Sequence, residues 1–112
     1  MNAYGFPPRT WAYLVSLELS ELIGHHLLRS IAPERKAEAE RFAHDEWCLV
    51  SRLDGFSRST STRPVKRHKE SVAQLRAQAR TLRMEDRAAK FVFEKLDEIE
   101  AALDEVAAET KR

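Results

Sequence analysis

The chain of 112 residues is poor in the residues that staple or interrupt a fold. Its one cysteine, Cys48, has no second thiol for an internal disulfide or a thiolate metal cluster, which suits a reducing, cytoplasmic setting. Glycine occurs three times, last at Gly55, and proline four times, last at Pro64, so nothing breaks a helix between Val65 and Arg112. No Phe, Tyr or Trp lies between Phe56 and Phe91, which leaves that stretch without a platform for stacking bases. Long apolar runs are missing too. The longest, Trp11 to Leu19, is cut by Glu18 and has neither the basic start nor the cleavage site of a signal peptide, so no membrane partner is expected. The sequence also lacks the spacing of a nucleophilic triad, a phosphate-cradling glycine loop or a zinc site, and no pattern in it asks for a cofactor or metal.

What is present is helical periodicity. At 43% hydrophobic and 33% charged residues, the composition is that of one globular domain, residues 1–112. The spacing predicts helices over about 11–31, 33–53, 64–83 and 86–110, with a loop at 54–63. Thr10 is placed to cap the first, whose faces (Trp11, Val15, Leu19, Leu22 and Ile23; Leu14, Leu17 and Leu28) make it apolar over most of its circumference. Gly24 sits inside it, where a close helix crossing would account for a glycine. Pro33 and Glu34 suit the first turn of the second helix, with Ala39, Phe42, Ala43, Trp47, Val50 and Leu53 as its core face and Gly55 as its stop. The segment DGFSRSTSTR is expected to be mobile in the free chain. The four-three spacing of Val92, Leu96, Ile99, Leu103 and Val106 fits either a four-helix up-down bundle with a turn near Arg83–Asp86, which is the preferred fold, or an all-α alternative in which a hairpin packs on one long C-terminal helix.

Charge is unevenly spread. Residues 1–51 carry a net −2, 52–90 carry +7 and 91–112 carry −4. On the third helix Lys69, Arg76, Arg80, Arg83 and Arg87 fall on one line, spaced seven, four, three and four apart. Arg58, Arg63 and Lys66 extend it toward the loop, with Arg52 just before. Such a line can track a phosphate backbone of RNA or single-stranded DNA without reading its sequence. The same arginines can instead pair with the acidic last helix through Glu94, Asp97, Glu98, Glu100, Asp104 and Glu105, or stay solvated.

Three resemblances follow from particular residues. Arg63 and His68, four residues between them, resemble the catalytic motif of HEPN ribonucleases, small helical bundles in which the motif opens a helix; Pro64 and Lys66-Arg67 stand where that motif has a polar residue and an apolar pair. His25 or His26 with His44-Asp45 resembles the opening of an HD-type phosphohydrolase, whose further metal ligand would be Asp86 or Asp97. In size, helical content and possession of a basic face, the whole chain is similar to the small helical subunits of CRISPR effector complexes. That resemblance implies a non-catalytic subunit that holds nucleic acid by its backbone, beside other protein subunits and copies of itself. A helical adaptor or phage accessory protein, docking through an exposed half of the Val92–Val106 seam, is the reading from a different class.

Overall fold

The computed structural model describes residues 4–109. The chain forms four long helices and, among the described residues, no strand. Helix α1, Pro8–Leu22, opens on the Pro7-Pro8 pair, because the fixed φ of proline suits a first turn; Thr10 therefore lies inside the helix rather than capping it. It continues through a π-helical turn, Ile23–Leu27, and a last turn, Leu28–Ser30. A 3₁₀ turn at Pro33–Arg35 leads into α2, Lys36–Ser57, followed by α3, Val65–Thr81, and α4, Asp86–Glu109. Each helix packs on its neighbours in sequence, and α1 closes the ring by packing most extensively of all on α4. The α2–α3 interface is the thinnest of the four. Pairs such as Lys69–Asp104 and Arg76–Glu100 show α3 and α4 running antiparallel.

The core is a set of heptad lines. Val65, His68, Val72, Leu75, Ala79 and Leu82 are all buried on α3, as are Val92, Leu96, Ile99, Leu103 and Val106 on α4, so the α4 seam is spent inside the bundle. The break that separates a bundle from one long helix falls after Leu82. Arg83 takes a left-handed φ of 50°, a conformation that costs a non-glycine residue about 1 kcal/mol or more. Two features offset that cost. Leu82 reaches the core, and the Arg35 guanidinium donates to the Thr81 carbonyl at 2.7 Å, satisfying one of the open acceptors at the end of α3. Asp86 then starts α4 with a negative charge at the positive end of its dipole.

Three local expectations are corrected. Gly55 does not stop α2; the helix runs on to Ser57, which brings Phe56 into the core one turn beyond Leu53, and Arg58 reaches back to Asp54 at 3.0 Å across the last turn. A Cβ added at Gly24 would meet nothing, so no close crossing explains that glycine. Trp47 is 55% exposed, while its neighbour Glu46 is 0% exposed. The line Ala39, Phe42, Glu46, Leu49, Leu53, Phe56 decides this. Trp47 lies about 100° round the helix from it, and turning α2 to bury Trp47 would carry Phe42, Leu49, Leu53 and Phe56 away from the core.

Candidate nucleic-acid interface

Helical phase puts Lys69, Arg76 and Arg80 along the seam of α3 with α4, but the helix ends at Thr81, so the expected single line through Arg83 and Arg87 is broken. Lys69 Nζ lies 2.6 Å from an Asp104 oxygen, and that hydrogen bond raises the Lys69 pKa above its ordinary value. Arg76 forks between Glu100, at 3.0 Å, and Asp97. Its side chain is only 19% exposed. Burial works against the Arg76 charge, but the hydrogen bonds to Glu100 and Asp97 outweigh it and raise its pKa further. Both acids come from the acidic helix that the sequence offered as the competing partner.

The remaining cations of the candidate set divide by position. Arg58 pairs with Asp54. Arg63 and Lys66 are exposed at the start of α3, and Arg80, Arg83 and Arg87 are exposed around the α3–α4 turn; among the described residues none of these five has an ion pair. The structure thus places unpaired charge at both ends of α3 with neutralised charge between. Arg67, outside the candidate set, joins the first group. It is exposed and unpaired among the described residues, and sits off the line because it falls about 160° round the helix from Lys69. The adjacency of Lys66 and Arg67 before any acid was the signal for it.

Arg9, also outside the candidate set, had no sequence signal. Its guanidinium lies 4.4 Å from the centre of the Phe56 ring and donates to the carbonyls of Phe56 (3.3 Å), Thr60 (3.3 Å) and Ser61 (2.9 Å). One residue of α1 thereby holds both the end of α2 and the loop that carries Arg58 and Arg63. The far edge of Phe56 meets His68, with ring centroids 5.1 Å apart.

His68 is 4% exposed, and burial, with help from the charges of Arg52 and Arg67, holds its pKa below 6.5, so the imidazole is neutral inside the bundle. Arg63 stands in solvent at the same end, so the two residues of the HEPN-like motif do not share a surface. His25 and His26 are exposed on the π-helical turn, His44 contacts only its neighbour Asp45 and Cys48, and no group of three or more His, Cys, Asp or Glu among the described residues could hold a metal ion. No described helix is long and apolar enough to cross a membrane.

Comparison with protein families, with curated proteins and with solved structures finds no match to this chain.

Proposed function

We propose that the chain is a non-catalytic subunit that binds the phosphate backbone of RNA or single-stranded DNA through α3, within a larger nucleoprotein assembly that includes other protein subunits or further copies of itself. The observation that carries this reading is the charge of α3 and its flanks. Between Arg63 and Arg83 there are seven Lys or Arg and one acid, Glu70, and five of the seven (Arg63, Lys66, Arg67, Arg80 and Arg83) are exposed with no ion pair among the described residues. The gap from Lys66 to Arg80 is about 21 Å at 1.5 Å per residue, a distance that an extended single strand can bridge over the paired middle of the seam. Counterions released from the strand supply affinity without base contacts, so a surface suffices and a pocket is not needed.

A salt series with labelled single-stranded RNA and DNA tests the reading. Affinity is expected to fall with a log–log slope of about −2 or steeper, equivalent to some three phosphates at about −0.7 each on a single strand. Reversing Arg80, Arg83 and Arg87 to glutamate is expected to weaken binding more than tenfold at low salt. Absence of binding at low salt would return these arginines to a solvated protein surface and overturn the reading.

A further inference from the structure

At the loop end of the α3–α4 seam the surface sinks into a cleft of about 540 Å³. Its apolar wall is made of small side chains, Val65 and Ala73 from α3 and Ala107 from α4. Its cations, Arg63, Lys66 and Lys69, gather toward the start of α3. Lys69 is already held by Asp104, which leaves Arg63 and Lys66 as the cleft's cations without an ion pair among the described residues. The first turn of α3 carries no acid, and positive groups there oppose the positive end of the helix dipole unless an anion lies between them. Further along the same cleft stand two carboxylates, Glu70 and Glu100, the latter already held by Arg76. From Lys66 to Glu70 is about 6 Å of helical rise.

A bare phosphate would meet carboxylates as well as cations here, and a fatty acid would leave Glu70 against its tail. A nucleotide matches the whole gradient: an anion at one end, a flat apolar face in the middle, and N–H donors at the far edge. We propose that this cleft is a nucleotide subsite, with the phosphate between Arg63 and Lys66, the base against Val65, Ala73 and Ala107, and its amino edge toward Glu70. The inference rests on the backbone-binding reading above, and supplies the base contact that α3 lacks for want of aromatic residues. The nucleotide is either one unit of a bound strand or a free mononucleotide, the chemistry being the same.

Two titrations by fluorescence anisotropy and calorimetry test it, each with the wild type and with Ala73→Leu, a change at an exposed α3 position that projects into the cleft and suits a helix. The first compares a labelled single-stranded oligonucleotide with an abasic backbone of equal length. The intact strand is expected to bind about fivefold more tightly, what burying about 40 Å² of apolar surface contributes at about 25 cal/mol per Å², and Ala73→Leu is expected to erase that difference without changing the salt slope. The second uses AMP alone, whose binding by the wild type and loss in Ala73→Leu would identify a free nucleotide as the occupant. Equal binding of intact and abasic strands, together with no binding of AMP, overturns the subsite while leaving backbone binding intact. If neither strand binds at low salt and AMP does not bind either, the subsite and the backbone reading fall together.

Discussion

The two halves of the bundle handle charge in opposite ways. Between α3 and α4, cations and carboxylates meet at the surface, where Lys69 faces Asp104 and Arg76 forks to Asp97 and Glu100. Between α1 and α2, a single carboxyl, Glu46, is enclosed in the core with no hydrogen-bond partner for either oxygen among the described residues. Surface pairs of the first kind each contribute little and answer to salt. A lone buried carboxyl answers to pH instead. Burial pushes the Glu46 pKa up from 4.5 to about 8, with the Ser20 hydroxyl of α1 pulling weakly the other way. Polar residues in this protein are therefore of two physical kinds, and perturbing each should leave a different signature.

The largest effect is expected at Glu46. Because the folded state keeps a proton that the unfolded chain releases above 4.5, stability is greatest below that pH and falls until the folded carboxyl ionises near 8, by about 4 to 5 kcal/mol in all at roughly 1.4 kcal/mol per unit. His68 acts with the opposite sign: its lowered pKa costs stability as pH drops below 6.5, where the unfolded imidazole takes up a proton that the folded one refuses. The window from 6.5 to 8 therefore isolates Glu46, with an expected loss of about 2 kcal/mol on raising the pH. Urea midpoints measured across that window should decline for the wild type and stay level for Glu46→Gln, which keeps the shape without the charge; an equally steep decline in Glu46→Gln would place the titrating group elsewhere.

On the other half, Arg76→Ala is expected to cost about 1 to 1.5 kcal/mol, more than an exposed pair because the side chain is mostly covered and bonded to two carboxylates. Lys69→Ala should cost less than that, since its pair with Asp104 is exposed. Both losses should shrink in 1 M salt, unlike that at Glu46, and denaturation at low and high salt would separate the two kinds. The smallest expected change is a gain. Gly24→Ala should stabilise by about 0.5 to 1 kcal/mol, since the space for a Cβ is open and glycine in a helix carries an entropic cost; a loss instead would mean that the π-helical turn depends on the glycine.

How much of this was legible in the sequence depended on whether a pattern had one solution. The line Val92–Val106 had one, since its apolar residues keep a four-three spacing among mostly charged or small neighbours, and it is buried as read. The all-α class followed from such spacing, but the choice of a bundle over one long helix did not, because the spacing fits both and the break after Leu82 decides between them. Glu46 and Trp47 had two solutions, because Ala43 and Val50 flank either phase of α2 and local hydrophobicity favours the wrong one. Only the demand of Phe42, Leu49, Leu53 and Phe56 for a common interior settles which neighbour goes inside. Gly55 misled for a similar reason, since a glycine permits a helix to end but does not compel it when a core residue waits one position later. For the basic line, spacing gave the alignment of Lys69 and Arg76 but not the proximity of Asp97, Glu100 and Asp104, which depends on how α4 lies against α3. Arg9 left no trace at all, because its partners are backbone carbonyls about fifty residues away.

The closing of the ring by α1 and α4 has a consequence for how the chain comes off the ribosome. Of the four helices α1 is made before the others, yet its largest partner surface belongs to α4, made after them. While α2 and α3 emerge, the α4-facing side of α1 has no native cover, and at about 5 to 20 residues per second that interval lasts seconds. The first helix is thus held in suspense by the last, and a transcript cut short within α4 yields a chain with an open, adhesive flank rather than a smaller stable bundle.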